Sequence, residues 1–272
     1  MPIRIAHEAP KTLFKEVQAV TDYDYCLVHL LEEDPEYLSL FKQAVEEERE
    51  VILDNSIFEL EKAFDSDRFA YWINEIKPTW YIVPDVLENA QGTVDRMQEW
   101  LSTYKDKVTG KMVGVVQGQT YSELANCYEY MVNFAEVDMV AISFDYSYYE
   151  DLFPHENRYV SWAIGRFAFI NRLHKEGVIN TSIPHHLLGI SLPIEGQLYP
   201  KSWEWLYSID TSNPVVHGLK EITYIPNLGL RTKYSKKLYT LINENPTPVQ
   251  KDAVFYNIEQ FRKFWKDSDY RF

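Results

Sequence analysis

The sequence predicts an α/β fold, a (β/α)8 barrel of the TIM type that forms one domain with extra C-terminal helices. Three observations point there. Short apolar runs recur seven or eight times along the chain, segments of helical periodicity separate them, and no linker rich in Gly, Ser or Pro divides the whole. A length of 272 residues suits one such barrel, with strands and crossovers over about residues 20–220 and a helical extension over about 221–272.

In chain order, Tyr25 to Leu30 reads as the first buried strand. Asp34 caps the next helix with Pro35 at its first position, and that helix runs to about Glu50. Val51 to Asp54 is the second strand, Ser66 to Ile76 a helix that stops before Pro78, and Trp80 to Val83 the third strand. Asn89 to Tyr104 is helical, and Met112 to Val116 is a fourth strand that leads into Gln117-Gly118. Thr120 and Glu123 have capping-box spacing at the start of a helix through Ala135. Asp138 to Ser143 is the fifth strand, a long helix runs from about Asn157 to Gly177, and Leu187 to Ser191 is the sixth strand. Trp205 to Ile209 is the seventh strand and Val215 to His217 the expected eighth. The aromatic and charged tail from about Tyr234 supplies the extra helices.

A hydrophobic share of 46% provides for a full core. Two cysteines, Cys26 and Cys127, are too few for a disulfide framework, and both lie in apolar patterns, which fits a reducing compartment and a cytoplasmic protein. No run approaches the roughly 20 apolar residues that span a bilayer, so no membrane partner is expected. A net charge of -14 opposes a polyanion, because phosphate binding relies on Lys and Arg to displace counterions. The acid concentrates between Glu32 and Glu50, whereas Lys220, Arg231, Lys233, Lys236 and Lys237 form a late basic cluster.

Four of these strands end in, or just before, a polar side chain suited to chemistry: Asp54, Asp85, Gln117 and Asp210. In a β/α barrel the carboxyl ends of the strands carry the catalytic groups. Three carboxylates gathered in one mouth would repel, so at least one should have a raised pKa or meet a ligand that donates hydrogen bonds, as a purine edge does. Each Asp can equally be a turn or cap residue. Phe58 and the stretch Phe144-Asp145-Tyr146-Ser147-Tyr148-Tyr149 offer rings that could stack on a base or simply pack on the rim, and Asp145, Glu150 and Asp151 would repel a phosphate there. His185-His186 lacks ligands at metal spacing, His217 reads as structural, and no Gly-rich phosphate loop or Gly-x-Ser-x-Gly elbow is present. No metal or cofactor is expected.

Four segments then resemble, in order, the motifs of the tRNA-guanine transglycosylase superfamily. Leu53 to Glu59 (LDNSIFE) is similar to its Leu-Asp-Ser-Gly-Gly-Phe-Gln motif, and Gly114 to Gln119 (GVVQGQ) to its Gly-Ile-Val-Gln-Gly. His186 to Ser191 (HLLGIS) resembles its Tyr-Leu-Met-Gly-Val strand, and Ser208 to Pro214 (SIDTSNP) its nucleophile segment. The likeness spans roughly residues 50–215. Ser56-Ile57 replaces the paired glycines of the family, and its Cys-x-Cys-x-x-Cys zinc site is absent. A short, zinc-free chain is most similar to the phage-type branch that places 7-deazaguanines in DNA.

The resemblance implies replacement of guanine in nucleic acid, DNA more than tRNA, by a free 7-deazaguanine base such as preQ0. Asp210 would be the nucleophile at the sugar C1′ and Asp54 the acid/base on the purine. Asp85 would accept from the guanine ring N–H and amine, Gln117 and Gly118 would lie against O6, and a backbone N–H near Ser143 and the ring of Phe58 would complete base binding. An N-glycoside hydrolase that uses the Asp210 and Asp54 pair, and a non-catalytic barrel subunit, are the alternatives. A homodimer or a partner subunit is compatible with the resemblance, as is the cytoplasm of a phage host.

Overall fold

Eight short strands form one parallel sheet in the order β1-β8-β7-β6-β5-β4-β3-β2, the topology of a (β/α)8 barrel of the TIM class. The strands are β1 (Arg4–His7), β2 (Asp24–Leu27), β3 (Val51–Asp54), β4 (Trp80–Ile82), β5 (Lys111–Val116), β6 (Met139–Ile142), β7 (His185–Leu187) and β8 (Leu206–Thr211). The computed structural model describes residues 3–226, 228–229 and 237–266; Arg231, Lys233 and Lys236 of the basic cluster lie outside them.

By internal contacts the described residues fall into two compact units. One draws on Met1–Asp22, Phe144–Lys175 and Leu187–Phe272, the other on Tyr23–Ser143 and Glu176–His186.

The second unit follows the sequence closely. Strands β2 to β6 are almost wholly buried, as short apolar runs in a parallel sheet must be when neither face meets water. The Asp34 carboxylate accepts the backbone N–H groups of Glu36 and Tyr37, with Pro35 in the first turn of helix Pro35–Glu46. Thr120 and Glu123 form the expected capping box on helix Tyr121–Asn133. Asn89 caps Ala90–Thr103 through the Gly92 N–H. The first strand stops at Leu27, and the rest of the apolar run expected in it forms helix Val28–Glu33.

In the first unit, β1 ladders with β8 so that Ala6 faces Asp210 and His7 faces Thr211. Here the structure corrects the sequence reading. Val215 to His217 is no strand: it lies in helix Asn213–Gly218, buried on every side. The eighth strand is instead Arg4–His7, before the expected start of the barrel near residue 20. Its apolar centre is only Ile5 and Ala6, too short for a recognisable alternation. The sixth expected strand shifts from Leu187–Ser191 back to His185–Leu187, because Gly189 turns the chain with φ +58. The seventh extends two residues past Ile209, which places Asp210 inside the strand.

The C-terminal extension contains a 3-10 turn at Leu238–Leu241 and helix Pro248–Lys266. Val254 and Ile258 of that helix join Leu13, Val17, Val215, Val216, Leu219, Leu238 and Leu241 in one apolar cluster. Gly218 permits the close approach, since a Cβ there would lie 2.4 Å from the Val254 backbone. Among the described residues no helix is long and apolar enough to cross a membrane.

Candidate active site

In the second unit the ends of β3, β4 and β5 converge on one buried carboxyl group, Asp85. Asn55, one residue past β3, donates its side-chain amide to Asp85 Oδ1 at 2.8 Å and to the Val83 carbonyl at 3.0 Å. Gln117, one residue past β5, donates to Asp85 Oδ2 at 2.6 Å and accepts the Glu88 backbone N–H at 2.9 Å. Burial raises the Asp85 pKa above its ordinary value, against the opposing pull of the Asn55 and Gln117 amides. The cause is burial and not the repulsion between carboxylates expected from the sequence.

Asp54, the last residue of β3, is buried and accepts the Ser56 backbone N–H at 3.0 Å. Ser56 has φ 59, a left-handed conformation that a serine adopts at some cost and that glycine adopts freely. Asn55 Oδ1 accepts the Ile57 N–H at 3.0 Å, so the turn from β3 into the short helix Ile57–Leu60 is tied by both side chains. Phe58 stands on that helix with 38% of its surface exposed. Gly118 lies against the start of the next helix, where a Cβ would meet Glu123 Cβ at 2.8 Å. Ser143 is buried directly after β6.

In the first unit Asp210, 5% exposed on β8, accepts the Gly189 backbone N–H at 2.9 Å through Oδ1. Gly189 is held in turn. A Cβ on it would approach the Phe144 ring to 2.6 Å, and its carbonyl accepts from Arg166 Nη2 at 2.9 Å. Beyond Asp210, the chain enters helix Asn213–Gly218 through a polar knot. Thr211 Oγ1 accepts the Asn213 N–H at 3.0 Å, Asn213 Nδ2 donates to the Ser191 carbonyl at 2.8 Å, and Tyr224 donates its hydroxyl to Asn213 Oδ1.

The structure thus joins Asp85 to Gln117 and to Asn55, the residue after Asp54, and holds Asp210 through Gly189. It commits most of the aromatic stretch to the interior: Phe144, Tyr146 and Tyr149 are buried, with Phe144 edge-on to Trp162 at 5.3 Å between centroids. Glu150 accepts from the Trp162 indole at 3.0 Å. His185 and His186 are buried; His185 Nε2 meets the Tyr128 hydroxyl at 2.9 Å, and His186 stacks on Tyr25. His217 is buried, with Nδ1 on the Asn213 carbonyl at 2.8 Å. Among the described residues no cluster of His, Cys, Asp and Glu could hold a metal ion.

Sequence reasoning missed Asn55 and Arg166. Asn55 sits beside Asp54 in the LDNSIFE segment, and its partner Asp85 is 30 residues away, beyond the reach of any local pattern. Arg166 had a clearer signal. Trp162, Arg166, Phe169 and Leu173 recur at helical spacing on the buried face of Arg158–Lys175, and an arginine on an apolar face requires an ionic partner.

The sequence matches no protein-family model and no curated protein.

Proposed function

We propose that this chain is a base-exchange transglycosylase that replaces guanine in nucleic acid, DNA in preference to tRNA, with a free 7-deazaguanine base. The observation that carries the reading is Asp210, a buried carboxylate on β8 whose Oδ1 is oriented by the Gly189 N–H at 2.9 Å. A backbone donor restricts the rotation of the carboxylate, and a fixed direction of approach is what a displacement at a sugar carbon needs. The ordered likeness of four segments to transglycosylase motifs supports the same assignment.

In the first step an Asp210 oxygen bonds to C1′ while the C1′–N9 bond breaks, and its electron pair leaves with guanine, which takes a proton from Asp54. In the second step N9 of the incoming base bonds to C1′, the ester C–O bond breaks to restore the Asp210 carboxylate, and Asp54 recovers a proton from the entering base. Asp85 accepts from the ring N–H and amine of the purine. Gln117, which carries a second amide N–H beyond the one given to Asp85, donates to O6. Gly118, Ser143 and Phe58 lie along the same base. Free, buried cysteines suit a cytoplasmic site of action.

Incubating the protein with DNA or tRNA and labelled guanine, then repeating with Asp210→Asn, tests the reading. Label in DNA from the wild type alone is the expected result. No incorporation into either polymer would overturn it, and release of free base in water with no incoming base would point to the hydrolase.

A further inference from the structure

Asp210 is oriented by a backbone N–H that belongs to a loop, and loops move unless something holds them. What holds this one is a side chain from a distant helix. Arg166, fully buried in helix Arg158–Lys175, gives Nη1 to the Leu188 carbonyl at 2.9 Å and Nη2 to the Gly189 carbonyl at 2.9 Å. Its other face meets Glu195, with Nε on Oε1 at 2.8 Å and Nη2 on Oε2 at 2.9 Å, and the Tyr199 hydroxyl donates to Glu195 Oε1 at 3.0 Å. The guanidinium therefore spends one edge on its counter-ion and the other on the two carbonyls that flank the loop's turn. We propose that Arg166 is a positioning residue for Asp210, which acts by fixing the Leu188-Gly189 peptides so that the Gly189 N–H points at the carboxylate.

Two further features support the role. A buried ion pair seldom adds stability beyond that of apolar residues of the same volume. Arg166 and Glu195 are 0% and 1% exposed, so what the pair holds accounts for its presence better than the stability it adds. Second, the helix that carries Arg166 is itself fixed at the adjacent residue. A Cβ on Gly165 would lie 2.5 Å from Tyr149 Cβ, so helix Ser147–Leu152 bears directly on that turn. Phe144 closes the chain of contacts, with its ring against Gly189 from the opposite end of the same segment. Lysine could not reproduce the arrangement, because a point ammonium has no planar fork with which to satisfy two carbonyls and a bidentate carboxylate at once.

The inference rests on the transglycosylase reading of Asp210, and the test separates the two. Arg166→Met alone would strand the Glu195 charge and endanger folding, so the informative protein is Arg166→Met/Glu195→Gln, in which the new amide still accepts from Tyr199. With Arg166→Lys, Asp210→Asn and the wild type it is assayed for covalent adduct at residue 210 in a single turnover on a guanine-containing DNA oligonucleotide, for the KM of the free base, and for exchange of the Gly189 amide hydrogen. The double variant should still unfold cooperatively, at a lower urea midpoint because two carbonyls lose their donor, should lose protection at Gly189, and should form adduct roughly 10- to 100-fold more slowly with the base KM unchanged. Arg166→Lys should fall between. A folded double variant that forms adduct at the wild-type rate, while Asp210→Asn forms none, overturns the positioning role and leaves the nucleophile intact. Failure of the wild type to form any adduct overturns both.

Discussion

The side-chain amide of Gln117 donates to Asp85 Oδ2 at 2.6 Å while its carbonyl oxygen accepts the Glu88 N–H at 2.9 Å. One residue beyond β5 thus fixes both the carboxyl group past β4 and the loop that follows it. Gln117→Ala removes a donor from a buried carboxyl and an acceptor from a backbone N–H, and should cost about 1–3 kcal/mol in urea unfolding. Gln117→Glu should cost more at neutral pH, because it sets a second carboxylate against Asp85. Equal costs for the two would contradict this arrangement.

Asp85 also makes a prediction about pH. Burial raises its folded pKa, so the folded chain holds that proton to higher pH than the unfolded chain does. Its contribution to stability is therefore greatest below the ordinary carboxyl value and declines as pH rises from about 3.8 through the raised value. The stability of Asp85→Asn relative to wild type should grow across that window and then level off. A difference that is flat with pH would count against a raised Asp85.

His7 has the opposite slope. Its ring packs edge-on to Phe261 at 5.5 Å between centroids, both ring nitrogens are buried without a hydrogen-bond partner, and burial, reinforced by Arg262 and Lys266 and opposed by Asp22, lowers its pKa to about 3. The folded chain keeps His7 neutral while the unfolded chain protonates it near 6.5, so stability present above 6.5 is lost progressively as pH falls towards 3. The loss approaches about 1.4 kcal/mol per pH unit for this one group. His7→Leu should flatten that part of the urea-unfolding profile between pH 6 and pH 4; an unchanged slope would assign the acid sensitivity elsewhere.

Gly189 tests the local geometry at Asp210. Gly189→Ala places a methyl group 2.6 Å from the Phe144 ring at φ +58 and should destabilise by roughly 1–3 kcal/mol. Phe144→Ala opens that space, so the double variant should be less destabilised than the sum of the two single changes. Strict additivity would show that the ring is not what excludes the methyl.

Cys26 and Cys127 are buried, and burial drives both thiols above their usual range, Cys127 to about 11. Neither should react with a thiol reagent at neutral pH until the chain unfolds, and both should then react together. Rapid labelling of either in the native protein would show that its cover opens locally.

Where helices and strands carried their usual periodicities, the sequence was enough to place them. The caps at Asp34 and Thr120 stand where their spacing put them, because capping depends on a few adjacent residues. The failures involve elements whose pattern is set from outside. Asn213–Gly218 is a helix with no solvent-exposed face, so its run Val215-Val216 imitates a buried strand, although Pro214 in its first turn was a cue to the contrary. His185 and His186 read as polar residues before a strand, yet they lie within β7, with partners supplied by Tyr128 and Tyr25. Asp54, Asp85, Gln117 and Asp210 are each singled out by their own local pattern. Their ties through Asn55, Gly189 and Arg166 connect residues far apart in sequence, which local pattern does not encode.

The pairing of Ala6 with Asp210 has a consequence for how the chain is made. The segment Arg4–His7 is synthesised before the other described strands, and its ladder partner Leu206–Thr211 after them. Until then the first strand has no sheet neighbour of its own, and closing so long a loop is entropically costly and slow. The strand that bears Asp210 is completed only when the two ends of the fold meet. Assembly of the first unit is therefore a late event in folding, and substitutions that weaken the Arg4–His7 strand should delay it while β2 to β6 form on schedule.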